Sequence, residues 1–433
     1  MRMRLLAGLL VLLLTPAVLA EQITENRPDG SVLRTYATDD SGRRDGGCVE
    51  YHGNGKVHIR SVYRKGRLHG LHQVYDAKGR LRTTANYRNG KLHGTYLEKD
   101  EKGNPTIQAT YERGEKHGSF VVLRNKEPIS TQKWENGLAL DIDGLKPYPK
   151  SRDDIREAVE EIFNSVDPLE KKADDPKARS RGESLRLLKI YRYLCEVPYA
   201  DCRLDAQMNA WAEAGANLCK RIGRLDHTPA NPGMPEDAYK FGYVGTSRSN
   251  LYMGHPERPS MPASVGAYMD DSDASNIDRV GHRRWCINPR LLKTGFGDDG
   301  RFSAMYAHDK SRKDVPDFDY VAFPPAGFMP MFYFGAHYAW SVSLNPKKFD
   351  RPDQLGLRVT VRAVDDNYLR AKKPLKIENF KLSSEGMGLR DCIIFRPKGI
   401  ELEDDAKYWV EIEGLTRKNK PVPFRYLVHF FEL

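Results

Sequence analysis

Gly281-His282-Arg283-Arg284-Trp285-Cys286-Ile287-Asn288-Pro289, running on to Gly295-Phe296-Gly297, is the stretch on which the reading of the chain turns. It sets a histidine, two arginines, a tryptophan and a cysteine side by side, then closes on Asn-Pro and Gly-x-Gly punctuation. As a helix, it places Arg283 and Arg284 on a solvated face, lets Cys286 and Ile287 bury, and ends in a turn at Asn288-Pro289. A single histidine on such a helix is ordinarily a packing residue. A second one stands upstream in Leu225-Asp226-His227-Thr228-Pro229, at the end of another helical run. Whether His227 and His282 share a site is the functional question.

The 433-residue chain is long enough for several cores. At its start, Arg2 and Arg4 precede the apolar run Leu5 to Leu14, and Pro16-Ala17-Val18-Leu19-Ala20 supplies small residues. Residues 1–20 therefore read as a secretory signal peptide. No later segment reaches the roughly 20 apolar residues of a membrane span. The expectation is an exported protein, secreted or periplasmic, without a transmembrane segment. Cys48, Cys195, Cys202, Cys219, Cys286 and Cys392 suit an oxidising compartment. Cys195 and Cys202 are near enough for a local loop, which leaves Cys219 with Cys286, although spacing alone does not decide connectivity. Cys392 is either free or paired with Cys48. None of the six forms a CxxC pair, against a thiolate zinc site.

Residues 30–140 repeat. Tyr63-x-x-Gly66-x-x-x-Gly70 recurs as Tyr87-x-x-Gly90-x-x-x-Gly94 and Tyr111-x-x-Gly114-x-x-x-Gly118, and Trp134-x-x-Gly137 begins a shortened copy. Gly55, Gly79 and Gly103 keep the same 24-residue step. The unit reads as a β-hairpin with a tight glycine turn. Stacked copies would bury Tyr63, Tyr87, Tyr111 and Trp134 as one ladder. His69, His93 and His117 read as turn residues copied with the unit, in preference to a metal-binding stripe. Between Ser41 and Asn136 stand 19 lysines and arginines against 10 acidic residues, most of the net charge of +10. The pattern resembles MORN-type repeats, which implies an interaction surface without chemistry. A basic, tyrosine-bearing face suits an anionic envelope polymer, lipid headgroups or a protein partner, with a solvated spacer as the plain alternative. Export argues against nucleic acid.

Leu145-Lys146-Pro147-Tyr148-Pro149 breaks the strand pattern. Ser151 then caps a helix with Ile155, Val159, Ile162 and Phe163 on one stripe. Lys171 to Arg181 reads as a charged loop, a second helix starts near Glu183, and a third covers Leu204 to Lys220. Tyr191-Arg192, Leu204-Asp205, Ala212 to Ala216, Leu225-Asp226-His227, Ser249-Asn250-Leu251, Tyr268 and Gly281-His282-Arg283 through Gly295-Phe296-Gly297 occur in the order of a known family. Across residues 183–308 the chain resembles the CAP superfamily of cysteine-rich secretory, antigen 5 and pathogenesis-related proteins.

The resemblance implies a central α-β-α sandwich over residues 150–320 with a cleft. Complete members carry two histidines and two glutamates there, and some bind a divalent metal. The histidines carry over onto His227 and His282. Ser249-Asn250 stands where the first glutamate is expected, and Asp271 follows Tyr268 at the position of the second. Two imidazoles and one carboxylate can hold zinc with a water. Ser249, His282 and Asp271 also make a formal Ser/His/Asp set, but no Gly-x-Ser-x-Gly elbow surrounds Ser249. The acidic run Asp270-Asp271-Ser272-Asp273 lacks the glycine and distal glutamate of a calcium loop and reads as solvated.

Tyr320 to Pro330 reads as an aromatic, proline-rich connector. Beyond it, Trp340-x-Val342-x-Leu344, Leu357-x-Val359-x-Val361, Tyr408-x-Val410-x-Ile412 and Tyr426-x-Val428-x-Phe430 alternate. Residues 330–433 therefore read as an antiparallel β-sandwich, and the run Ile393 to Pro397 through Tyr408 to Leu415 resembles bacterial immunoglobulin-like modules. The whole is a multi-domain α+β protein with a β-hairpin repeat array at its N-terminal end. Its leading function is ligand binding at the cell envelope without turnover or cofactor, with Ser249, Asn250 and Tyr268 lining the cleft. The alternative is a metal-assisted hydrolase of a peptide or envelope substrate. It would use His227 and His282 as ligands to an ion such as zinc, and Asp271 as third ligand or base.

Overall fold

The structure, a computed structural model, describes residues 21–170, 175–255 and 260–433; the expected signal peptide and residues 171–174 of the expected charged loop lie outside the described residues. The protein is mixed α and β. It divides into two compact units, Met1–Gly144 and Leu145–Leu433.

The first unit is one sheet of eleven strands among the described residues, from Glu21–Asn26 to Leu138–Ile142, each antiparallel to its sequence neighbours. It begins earlier than Gly30. The repeat motif has a direct physical cause. Strands Leu81–Arg88 and Lys91–Lys99 meet through Asn89-Gly90, with φ of 53° and 83°. Positive φ at both central positions is the type I′ geometry of two-residue hairpins. The second glycine lies opposite the next aromatic: Tyr87 faces Gly70, Tyr111 faces Gly94 and Trp134 faces Gly118.

The expected ladder takes a different form. Three of the four repeat aromatics pack diagonally on a ring of the preceding strand, Tyr87 on His72, Tyr111 on Tyr96 and Trp134 on Phe120. At the other end the Arg44 guanidinium lies over Tyr36 and Tyr63, at 4.8 and 5.3 Å from the ring centres. Diagonal neighbours across a twisted pair are within reach of large rings. His69, His93 and His117 sit inside strands, beyond the turns.

In the second unit, α1 (Arg152–Asn164) starts at Ser151 with a capping box. α2 (Pro176–Leu194) begins well before Glu183, because Asp175 caps it and Pro176 fits the first turn, where no N–H is needed. α3 (Ala206–Ile222), α4 (Glu236–Ser247), α5 (Ser260–Asp270) and α6 (Gly281–Cys286) follow. A four-stranded sheet runs in the order Arg203–Leu204, Lys293–Asp299, Phe302–Tyr306, Ser249–Met253. Ala212, Ala216 and Cys219 of α3 pack on its Leu251, Phe302 and Ala304. The Gly295-x-Gly297 pair exists because α3 crosses the sheet backbone to backbone. A Cβ at Gly297 would lie 2.1 Å from the Glu213 nitrogen, and one at Gly295 would lie 2.2 Å from Met208 and Asn209 backbone atoms.

Among the described residues, two further four-stranded sheets and a two-stranded one, Thr416–Arg417 with Lys420–Pro421, complete the unit. Trp340 of one of these four-stranded sheets touches Tyr408 and Phe430 of the other. The expected all-antiparallel arrangement needs one correction: Gly327–Pro330 pairs parallel to Phe424–Phe431. The expected connector supplies an edge strand to each of these two four-stranded sheets, Tyr320–Phe323 and Gly327–Pro330, where the ladder has only one side to satisfy.

Arg283 and Arg284 are not solvated. They are 0% and 2% exposed and bind carbonyls from distant segments. Arg283 donates to Met269 O and Ala339 O at 2.7 and 2.6 Å and lies over Phe323; Arg284 donates to Glu385 O and Leu389 O at 2.5 and 2.6 Å. A guanidinium with five donors satisfies several otherwise orphaned carbonyls at once. The two arginines thereby tie α6 to the C-terminal sheets.

All six cysteines are buried free thiols, so neither Cys195–Cys202 nor Cys219–Cys286 is bonded. Each behaves as a small apolar residue in its own setting. Cys219 sits in the α3 cluster, Cys392 packs with Ile277, Val280, Ala339 and Ile394, and Cys286 lies against Met305.

Candidate functional site

His227 follows α3, which Gly223 ends in the left-handed region. Asp226 accepts from Thr228 N at 2.9 Å and shapes the turn that carries the imidazole. His227 Nδ1 lies 2.9 Å from Thr246 O at the end of α4. A carbonyl only accepts, so Nδ1 carries a hydrogen in this bond and Nε2 takes no part in it.

His282 begins α6 with the same division of labour. Its Nδ1 is 2.8 Å from Asp271 Oδ1, and Asp271 Oδ2 accepts from the His282 and Arg283 amides at 2.9 and 3.3 Å. Asp271 is only 3% exposed and spends both oxygens on α6. The residue expected as third ligand or base is therefore a positioning group, and the run containing it is not a solvated loop.

The two imidazoles meet, with ring centres 6.4 Å apart, and line one cavity of about 390 Å³. Ser249 and Asn250 line it as well. Tyr268 lies behind, its ring 5.5 Å from His282 and its hydroxyl donating to Asn250 O at 3.0 Å. Burial pushes the Tyr268 phenol well above its ordinary range, so it stays neutral. Asn250 Nδ2 donates to His282 O at 3.0 Å and locks the start of α6 to the sheet. Ser249 Oγ is buried without a hydrogen-bond partner, so no nucleophile-to-base bond joins it to the His282–Asp271 pair. Burial raises the Cys286 thiol above its ordinary range, which removes a thiolate nucleophile.

No protein-family model matches the chain, and no curated protein matches it. The cleft is thus read from its own geometry. Among the described residues no group of three His, Cys, Asp or Glu side chains is placed to hold a metal ion. His227, His282 and His308 line the cavity but are not placed to meet at one ion, and catalytic zinc sites take three protein ligands. The donor set is short by one, because Asp271 is turned away.

His308 and Met387 are cleft residues that the sequence does not single out. His308 stacks on Trp285 at 4.2 Å, and both line the cavity. Desolvation, then Lys310, His227 and Arg248, hold the His308 imidazole down to about 4, leaving it neutral at pH 7 although the residue as a whole is solvent-exposed. Its position just after a strand of the same sheet is the one signal that would have found it. Met387 enters from a loop a hundred residues away; a Cβ on Gly281 would lie 2.4 Å from its sulfur. Nothing local marks it.

Proposed function

We propose that the protein binds a small polar ligand at the cell envelope, in a divergent CAP-like cleft between His227 and His282, without turning it over. The observation that carries this reading is the anchoring of both rings through Nδ1, which sets two fixed imidazoles beside neutral His308 in the lining of one cavity. Preset polar groups in an otherwise mixed pocket fix a ligand's orientation. The apolar run at residues 5–14 supports export, and the basic MORN-like repeats suit an anionic polymer or lipid headgroup. Among the described residues no helix is long and apolar enough to cross a membrane.

The test is titration of the full chain with soluble cell-wall disaccharide-peptide fragments, followed through the imidazole NMR signals. Saturable shifts at His227 and His282, lost in the His227→Ala/His282→Ala double variant, are expected. Static imidazole signals throughout the titration would sink the reading.

A metal-assisted hydrolase is the second reading, and the same Nδ1 anchoring favours it, since metal-binding histidines hold their other nitrogen in this way. His227 and His282 are the ligands this reading has, one fewer than a catalytic zinc site takes. Calorimetric zinc titration decides between the two. Binding abolished by either histidine substitution supports the hydrolase, and no binding by the wild type removes it.

A further inference from the structure

A second cavity, of about 530 Å³, is lined from Pro289 and Arg290 just after α6, and its chemistry is different from that of the histidine cleft. Four cationic side chains line it: Arg290, Lys313, Lys347 and Arg390. All four are solvent-exposed, and among the described residues none forms an ion pair. The one carboxylate in the lining, Asp317, is already paired with Lys348. Between the charges the wall is apolar, with Phe318 beside Pro289, Pro316 and Pro346.

The charges stand on backbone that is tied together. Arg312 N donates to Arg290 O at 3.2 Å, which fixes Lys313 beside Arg290. Asn345 Nδ2 donates to Phe318 O at 2.7 Å, and Leu344 N donates to Asp391 O at 3.3 Å, so the Lys347 turn is fixed to both the Phe318 wall and the Arg390 loop. Arg284, buried, holds that loop through Leu389 O. Four like charges gathered around a hollow repel one another unless an anion sits among them. Guanidinium groups match the oxygens of phosphate in paired hydrogen bonds.

We propose that this cavity binds a phosphate ester carrying a flat or apolar organic part, the phosphate among Arg290, Arg390, Lys313 and Lys347 and the organic part on Phe318. This site is separate from the histidine cleft and does not rest on the function proposed for it.

Titration of the full chain with phenyl phosphate and with inorganic phosphate at low salt tests it. Phenyl phosphate binds saturably and more tightly than phosphate. Arg290→Ala/Arg390→Ala weakens it by about tenfold or more, and Phe318→Ala brings it down to the level of inorganic phosphate. Both arginines are exposed, so an unchanged melting temperature accompanies the loss. His227→Ala/His282→Ala leaves the binding intact. Absence of saturable binding, or binding that survives the double arginine variant, overturns the assignment. Pelleting with phosphatidylglycerol vesicles separates the sources of the phosphate. Vesicle binding lost in the double arginine variant points to a lipid headgroup, and phenyl phosphate binding without it points to a soluble ester.

Discussion

Asp271 and His282 are joined twice, through Oδ1 to the ring nitrogen at 2.8 Å and through Oδ2 to the backbone amide at 2.9 Å. One carboxylate thus sets both the tautomer of the imidazole and the start of α6. Asp271→Asn keeps the shape but replaces one acceptor oxygen with a donor, which must face either the ring N–H or the two amides. The expected cost is about 1–3 kcal/mol of stability, read by urea denaturation. His282 should also lose its fixed tautomer, which ¹⁵N NMR of the imidazole reads directly. Unchanged stability together with an unchanged tautomer would count against the positioning role.

Arg283 contributes through carbonyls contributed by α5 and by the Ala339 segment. Removing it leaves Met269 O and Ala339 O buried without donors. Arg283→Met should cost about 1–3 kcal/mol for each buried carbonyl left without its donor. Arg283→Lys should recover only part, since an ammonium cannot span the same fork. A midpoint shift in urea no larger than that of a surface arginine would contradict this.

Local features were legible in the sequence. The Tyr-x-x-Gly-x-x-x-Gly repeat became strands and turns because its chemistry acts within one hairpin, and Ser151 is the helix cap it was read to be. His227 and His282, brought together in one cavity, stand 55 positions apart on separate elements, and neither stretch marks the other as its partner. The burial of Arg283 and Arg284 was not legible, because a buried arginine differs from a surface one only in where its carbonyl partners come from. For Arg284 those are residues 385 and 389, about a hundred positions on. The parallel pairing of Gly327–Pro330 was hidden for the same reason. Periodicity reports the face of a strand and not its neighbour.

Two glycines should answer alanine in opposite directions. At Gly297 the new Cβ meets backbone of α3 at 2.1 Å, which no rotamer change relieves. Gly297→Ala should destabilise by about 3 kcal/mol or more. Gly266 lies within α5, and a Cβ there meets nothing within 4 Å. Gly266→Ala should stabilise by about 0.5–1 kcal/mol through helix propensity. Equal midpoints for the two variants in denaturant would overturn the reading of Gly-x-Gly as a close-approach device.

The acid limb of stability should carry the signature of His429. This ring is 3% exposed, with Tyr148 OH 2.7 Å from Nδ1 and Asp405 Oδ1 and Arg152 Nη2 3.0 and 3.1 Å from Nε2. Desolvation and then Lys407 hold it down to about 3 from an ordinary 6.5, against the pull of Asp405. The sign follows from proton counting. Above pH 6.5 both folded and unfolded chains have a neutral ring, and stability is undiminished. Between about 6.5 and 3 only the unfolded chain binds the proton, so stability falls by about 1.4 kcal/mol for each pH unit from this group. Below about 3 both states are protonated and the contribution levels off. His429→Gln lacks the titrating ring and should show a shallower loss between pH 6 and about 4, even though its stability at pH 7 is lower. Urea midpoints measured across that range for both proteins make the comparison. Parallel curves would mean that His429 takes up its proton in the folded protein as readily as in the unfolded one.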